Sequence, residues 1–224
     1  MKIAVISDIH SNLAALIAVA ENISVTDIYC LGDVIGYGSS PNEVVEWIRD
    51  RVNVCLMGNH DYSVVTGEMS WFNSTARIAV EWTQLTLRKD NMIYLRKLPS
   101  EHRFEMEGLR VLLVHGSPED NLFEYVYPDT HENLFEYYLE KHKADVIVVG
   151  HTHIPFIWES KKGIIFNPGS VGHPRSGNID ASYATLTLNS GKAEVEHKLI
   201  KYDVDLTARR ILQSGLPESL ANRL

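Results

Sequence analysis

Residues 52–61 have the sequence VNVCLMGNHD, in which an apolar run is followed directly by an amide, an imidazole and a carboxylate. The run predicts a buried strand, and Gly58-Asn59-His60-Asp61 follows its carboxyl end. Three adjacent polar side chains at the end of a buried strand need partners, because burying an unpaired polar group is costly. Taken alone, the tetrapeptide is equally typical of a polar turn. The rest of the chain decides between these interpretations.

Four other apolar runs also end at polar residues. They end at Asp8-Ile9-His10, Gly32-Asp33, His115-Gly116 and Gly150-His151-Thr152-His153. Helical patterns over 13–22 and 41–50 follow the first two runs, and this alternation predicts an α/β fold with a largely parallel sheet. The carboxyl ends of parallel strands lie side by side, so we expect all five groups to converge on one site.

The remaining segments complete the predicted architecture. Residues 62–98 read as a helical insert, with helices near 74–88 and 90–97, lying over or beside the strand ends. Three hairpins are predicted, at 102–106 with 110–114, 156–160 with 163–166, and 183–188 with 193–201. A loop and then a helix occupy 117–143, and one helix is expected in the tail, near 206–214.

Composition limits the classes of function. The 224 residues suffice for one sizeable domain over 1–224, and the 45% hydrophobic and 22% charged content is that of a globular protein. The net charge of −8 and the lack of Lys/Arg clusters make specific nucleic-acid binding an unfavourable interpretation. No apolar stretch is long enough for a membrane helix or a signal peptide, which predicts a cytoplasmic protein. Cys30 and Cys55 lie in apolar runs and are expected to be buried thiols.

The converging side chains have the chemistry of metal ligands. Two aspartates, an amide oxygen and several imidazoles, without a thiolate, suit divalent ions such as Mn, Fe, Zn or Ni. They are too many for one tetrahedral ion, and two ions sharing a carboxylate fit the count better. Two ions about 3.5–4 Å apart can bind both sides of a phosphoryl group while a bridging hydroxide attacks in line. The sequence therefore predicts phosphoester hydrolysis.

The five groups, taken together and in this order, resemble the signature blocks of the calcineurin-like metallophosphoesterases. The loops at 32–38 and 167–170 resemble the small bacterial and archaeal phosphodiesterase-like branch. The resemblance implies a four-layer αββα sandwich, in which two facing mixed sheets are flanked by helices.

The resemblance also implies a role for each ligand. Asp8, His10, Asp33 and His153 would hold the first ion, Asp33 would bridge, and Asn59, His115 and His151 would complete the second. His60 would face the phosphate as a general acid or transition-state stabiliser. Asp61 would orient the His60 imidazole and favour its charged form.

Other residues are candidate substrate contacts. Asn12, Tyr37 and Arg175 join Asn59 and His60 in this group; the alternatives are helix capping for Asn12, loop packing for Tyr37 and a solvated surface position for Arg175. The aromatic residues Phe123, Tyr125 and Tyr127 either pack under a long loop or form a wall for a substrate ring. His173 belongs to no block of the family. His102, His131, His142 and His197 are expected at the surface.

These observations predict a metal-dependent phosphodiesterase or phosphatase that hydrolyses a small or nucleotide-like phosphoester. A non-catalytic scaffold, like the retromer subunit that resembles this family, is the alternative, although every implied ligand is present here. A DNA-processing nuclease of the same family is disfavoured by the acidic composition and the lack of an added DNA-binding domain.

Overall fold

The computed structural model describes all residues from Met1 to Leu224. The strands are β1 (Lys2–Ile6), β2 (Asp27–Cys30), β3 (Val54–Cys55), β4 (Glu101–Met106), β5 (Leu109–Val114), β6 (Val146–Val148), β7 (Phe156–Ser160), β8 (Gly163–Asn167), β9 (Ala181–Asn189) and β10 (Lys192–Ile200). The helices are α1 (Leu13–Asn22), α2 (Pro41–Arg51), α3 (Asn59–Thr66), α4 (Ser74–Thr86), α5 (Lys89–Leu95), α6 (Glu132–His142), α7 (Val204–Gln213) and α8 (Glu218–Ala221).

The strands form two five-stranded mixed sheets. The first has the order β10-β9-β1-β2-β3, in which β1, β2 and β3 are parallel and β9 is antiparallel to both β1 and β10. The second has the order β4-β5-β6-β8-β7, with parallel pairing of β5, β6 and β8 and an antiparallel strand at each edge. The parallel strands at the centres place their carboxyl ends at one side of the molecule.

Alternation along the strands separates two apolar layers. Ile3 and Val5 of β1 pack in one cluster with Val148 and Phe166 of the second sheet, so the two sheets face each other. Ala4 and Ile6 of β1 point the other way, into a cluster with the apolar faces of α1 and α2. The outer face of the second sheet is covered by α6. The four-layer αββα prediction is confirmed.

The helical insert differs from the prediction at its start. Helix α3 begins at Asn59 with Gly58 as its N-cap, so the tetrapeptide is the beginning of a helix and not a turn. The strand before it, β3, pairs over only two residues, fewer than the apolar run suggested. Helix α4 packs against the tail, where the Trp82 indole donates a hydrogen bond to the Ser214 carbonyl at 3.1 Å.

Three smaller predictions can be compared with the structure. Cys30 and Cys55 are buried free thiols, as expected. The tail carries a second short helix, α8, that the sequence did not suggest. None of the helices combines the length and the apolar character that crossing a membrane requires.

Candidate metal centre

The five polar groups meet at one side of the paired sheets. One group comprises Asp8, His10, Asp33 and His153, and their potential ligand atoms all lie within 4.8 Å of one another. A second group, with the same spacing, comprises Asp33, His115 and His151. Asp33 belongs to both groups, and all of these residues are buried.

Asn59 completes the second group. Its Oδ1 lies 3.1 Å from Nε2 of His115, which in turn lies 3.5 Å from Oδ2 of Asp33. The structure thus brings together all seven residues that the family resemblance implied as ligands.

The main chain bends sharply at these positions. Asp8, His10, Asp33, His151 and His153 all have left-handed backbone conformations, with φ between 49° and 65°. Such conformations are uncommon outside glycine and cost roughly 1 kcal/mol or more each. Strain of this kind concentrates at functional sites, where the surrounding fold over-determines the conformation. Here all five of these residues belong to the two candidate ligand groups.

Main-chain carbonyl groups fix the orientation of the imidazoles. Nδ1 of His10, His115 and His153 lies 3.2, 3.1 and 2.5 Å from the carbonyl oxygens of Ile35, Leu31 and His173, respectively. A carbonyl oxygen can only accept, so each Nδ1 carries a proton and each Nε2 faces the site. His151 has the opposite arrangement of its two ring nitrogens. Its Nε2 donates to the Phe123 carbonyl at 3.2 Å, so Nδ1 is the nitrogen that can bind an ion.

The nitrogen and oxygen atoms that face the centre of the site are arranged to bind a cation. Nε2 of His10 and Nε2 of His153 lie 3.1 Å apart with their lone pairs facing each other. Oδ1 of Asp8 and Oδ2 of Asp33 are buried and accept no hydrogen bond. Converging lone pairs without donors repel one another, and a divalent ion removes that repulsion. The donor set therefore fits divalent metal ions.

The titration behaviour agrees with this. Burial alone would raise the pKa of Asp33, but the positive charge of His115 holds it well below its usual range. Burial would lower the pKa of His115, but the Asp33 carboxylate raises it to about 9. The cluster thus stabilises a positive charge beside Asp33. A divalent ion would supply more positive charge there than a single proton does.

His60 and Asp61 do not form the expected pair. Oδ2 of Asp61 accepts hydrogen bonds from the amides of Gly58 (3.0 Å) and Val34 (3.2 Å), and Oδ1 accepts one from Ile35 (3.1 Å). The carboxylate is therefore used to cap α3 and to tie it to the loop after β2. The prediction that Asp61 orients His60 is wrong, because the capping interactions occupy both oxygens.

His60 is buried and electrically neutral. Nδ1 of its ring has no hydrogen-bond partner, and burial lowers the pKa of the imidazole to about 4, although Asp33 opposes this shift. The expected charged form is not favoured at neutral pH. The main-chain amide of His60 donates to Oδ1 of Asp33 at 2.8 Å, so the same residue holds the shared carboxylate in place.

Gly58 is required by this arrangement. A Cβ atom at this position would overlap Oδ1 and the main-chain nitrogen of Asp33. Only glycine lets the start of α3 approach the shared carboxylate so closely. The first residue of the tetrapeptide thus explains how the other three reach the site.

A cavity of about 150 Å³ opens onto the ligands. Its lining includes Asp33, Asn59, His60, His151 and His153. Tyr37 and Arg175 line it as well, so both of these predicted substrate contacts lie at the cavity.

The insert supplies another side of the cavity through Trp71, Phe72, Asn73 and Ala76. Phe72 packs on the His60 ring with the centroids 4.5 Å apart. The insert was predicted to lie near the strand ends, but none of these four residues was among the predicted site residues. No sequence motif marks which residues of an insert reach a site.

Asn12 does not reach the cavity. Its Oδ1 caps α1 by accepting from the Ala15 amide at 3.2 Å and also accepts from the Thr207 hydroxyl, while Nδ2 donates to the Gly172 carbonyl at 3.0 Å. The side chain is buried and committed to these structural contacts. Its prediction as a substrate contact is wrong, and the capping alternative is correct.

The aromatic cluster at 123–127 has mixed roles. Tyr125 lines the cavity and stacks on His151 with ring centroids 3.9 Å apart. Phe123 packs against Trp71 at 4.4 Å, which joins the loop to the insert. Tyr127 is exposed and stacks on Tyr125. Of the three, Tyr125 matches the wall interpretation.

The remaining histidines lie outside the ligand groups. His173 is buried with both ring nitrogens unpartnered, and its contribution to the ligands is its main-chain carbonyl, which orients His153. Burial lowers the pKa of His173 to about 3. His131 is exposed, as predicted, whereas His102, His142 and His197 are only partly exposed.

Comparisons with known proteins agree with this geometry. The sequence model of the family described as the calcineurin-like phosphoesterase superfamily domain matches residues 1–191. An uncharacterized protein of Methanocaldococcus jannaschii is 38% identical over 99% of this chain and 96% of its own length. Phosphodiesterase YfcE of Escherichia coli K12 is 29% identical over 83% of this chain and 87% of its own.

A solved structure also resembles this chain over its whole length. The crystal structure of a metallophosphoesterase from Sphaerobacter thermophilus superposes with a TM-score of 0.84 and 34% identity, covering 100% of this chain and 97% of that one. The chain therefore belongs to the calcineurin-like phosphoesterase superfamily. The family and the names of these relatives indicate a phosphoesterase.

Proposed function

We propose that this chain is a metal-dependent phosphoesterase that hydrolyses a small or nucleotide-like phosphoester at a dinuclear centre. The observation that carries the proposal is the sharing of Asp33 by two buried ligand groups. One group would be completed by Asp8, His10 and His153, and the other by Asn59, His115 and His151. Manganese, iron, zinc and nickel all suit these oxygen and nitrogen donors.

Two bound divalent ions would polarise the phosphoryl oxygens and lower the pKa of a coordinated water molecule. The residues of the chain hold this arrangement rigid. Asp33 is fixed by the His60 amide, and the imidazoles are fixed by main-chain carbonyls. Ligands that are already oriented need no reorganisation during the reaction.

His60 is proposed to contact the phosphoryl group through Nε2. Because Nδ1 is buried without a partner, the neutral ring is best placed with its proton on Nε2. That N–H can donate a hydrogen bond to an oxygen of the substrate and can stabilise the negative charge that develops on the phosphoryl group or the leaving group. Of the two roles that the resemblance implied for His60, this is the transition-state stabiliser, with a neutral ring in place of the charged general acid.

The cavity supports a substrate whose phosphate is enclosed. Its volume of about 150 Å³ is smaller than the roughly 300 Å³ at which pockets begin to bury drug-sized ligands. The phosphate would occupy it, beside Tyr37 and Arg175, and the organic group would extend past the exposed Trp71. An aromatic rim of this kind can accept a nucleobase or another ring.

The test combines elemental analysis with a panel of substrates. Purified protein should contain two equivalents of divalent metal after loading with Mn²⁺. It should then hydrolyse at least one of bis-p-nitrophenyl phosphate, p-nitrophenyl phosphate, a cyclic nucleotide or a dinucleoside polyphosphate. The metal-free protein serves as the control and should be inactive.

A scaffold that merely keeps the fold gives a different result. Such a protein would retain metal but remain inert toward every phosphoester tested. The buried, unpartnered Nδ1 of His60 and the open cavity beside it favour the enzyme over the scaffold, because a scaffold has no use for either.

A further inference from the structure

The loop formed by residues 117–125 folds over the imidazole of His151. The main-chain carbonyl of Phe123 accepts a hydrogen bond from Nε2 of His151 at 3.2 Å. The ring of Tyr125 stacks on the same imidazole, with centroids 3.9 Å apart and planes inclined by 17°. One loop thus fixes both the protonated nitrogen and the plane of this ring.

The loop is itself anchored at its beginning. The amide of Gly116 donates to the Asn121 carbonyl at 2.7 Å, and the amide of Ser117 donates to the Asp120 carbonyl at 2.9 Å. The Ser117 hydroxyl oxygen, which is buried, accepts from the amides of Glu119 and Asp120 at 3.1 and 3.0 Å. The turn that starts beside His115 is therefore closed on itself.

Glu124 ties the far end of the loop to this turn. Its carboxylate accepts a hydrogen bond from the Ser117 hydroxyl and another, at 3.4 Å, from the Tyr138 hydroxyl on α6. Glu124 stands between Phe123 and Tyr125 in the sequence, and its side chain is held toward Ser117 and α6. Holding it there presents the carbonyl of one neighbour and the ring of the other to His151.

We propose that residues 117–125 are a clamp for His151 and that Glu124 is the positioning residue that keeps the clamp closed. The inference rests on the proposed dinuclear function, in which His151 binds the second ion. A histidine ligand depends on the acceptor of its other N–H, and loss of such an acceptor typically weakens metal binding 10- to 100-fold. The clamp touches His151 and not His10, so the effect should fall on the second ion.

The test measures metal binding directly. Metal-free protein is titrated with Mn²⁺ by calorimetry, and Glu124→Ala should weaken the second binding step about 10-fold while the first changes less than about twofold. Electron paramagnetic resonance is then measured after one further equivalent of Mn²⁺ has been added beyond the first step. Glu124→Ala should give a weaker signal from coupled Mn²⁺ pairs and a stronger signal from single Mn²⁺ ions than the wild type. Glu124→Gln keeps an acceptor oxygen and should recover part of the affinity.

Glu119→Ala is the matched control. Glu119 lies in the same loop, but its carboxylate pairs with Lys141 and His142 on the surface. This variant should bind both ions like the wild type. Circular dichroism should show the same melting temperature for Glu124→Ala and the control to within a few degrees, since Glu124 is largely exposed.

Ser117→Ala removes the other partner of the same hydrogen bond and should weaken the same step. The proposal is overturned if the folded Glu124→Ala and Ser117→Ala proteins bind the second ion as tightly as the wild type, or if both ions are weakened equally. Failure of the proposed function is distinguishable, because the wild type would then show the two binding steps without hydrolysing any phosphoester.

Discussion

Nδ1 of His60 lies against the main chain of Gly36, so closely that a Cβ atom added to this glycine would be 2.5 Å from that nitrogen. The same Cβ would be 3.3 Å from Nδ1 of His10. Gly36 also has a φ of +105°, a conformation that side chains rarely adopt. The His60 ring can therefore occupy its position only because Gly36, in the loop after β2, has no side chain.

Gly36→Ala should displace His60 and reduce turnover. A methyl group must push the ring aside, and misplacement of a catalytic group by about 1 Å can cost on the order of 10²-fold in rate. Two equivalents of metal should remain bound, since the added Cβ approaches His10 at Nδ1 and not at the candidate ligand atom Nε2. Steady-state kinetics and elemental analysis of the same sample give both values. Gly108→Ala is a control in which a glycine of positive φ has open space around it.

His60→Gln should preserve the metal content and lower kcat by about 10²-fold or more, because a donor to the phosphoryl group is lost. The amide of residue 60 still holds Asp33, so the dinuclear centre is retained. Turnover of p-nitrophenyl phosphate, whose leaving group bears negative charge readily, should fall less than turnover of an alkyl ester. Wild-type rates on both substrates would remove His60 from the mechanism.

Asp33→Asn should lose metal and activity together. Both ligand groups depend on this carboxylate, and an amide supplies one neutral oxygen in place of two charged ones. Elemental analysis after dialysis should find fewer than one tightly bound ion per chain. Two tightly bound ions in this variant would contradict the bridging role, whatever its activity.

The candidate ligands were predictable because polar residues at the carboxyl ends of apolar strands carry a signal in a single sequence, and the family resemblance then assigned them to two ions. The main-chain groups that orient these side chains carry no such signal in the sequence. The carbonyls of Leu31, Ile35, Phe123 and His173 act through the main chain, and any residue type could provide them. Which carbonyl reaches which imidazole depends on the paths of loops, and those follow from the packing of both sheets.

The error over Asp61 has a local cause. Its place three residues after Gly58 is the capping position of a helix, and an acidic residue there predicts a bond to the N-cap amide. The helical insert was predicted only from residue 62, so this signal was not applied to Asp61. A helix that begins at Asn59 makes capping the competing role to pairing with His60.

Asp61→Ala should destabilise the fold more than it alters the chemistry. Three main-chain amides lose their acceptor, and leaving buried donors unsatisfied costs about 1–3 kcal/mol. Urea unfolding of the metal-free protein should show this loss in the free energy of unfolding, with Asp61→Asn between it and the wild type. Unchanged stability with a loss of kcat as large as that of His60→Gln would instead restore the catalytic pairing.

Binding of the second ion should release a proton near neutral pH. Asp33 raises the pKa of His115 to about 9, so its Nε2 is protonated at pH 7.5 and must lose that proton to become a ligand. The pKa of His151 is lowered to about 3 by burial, so this second ligand contributes no proton. Affinity for the second ion should therefore rise about tenfold per unit between pH 7 and 8.5. Calorimetry in two buffers of different ionisation enthalpy measures the released proton, and a value near zero at pH 7.5 would contradict the role of His115.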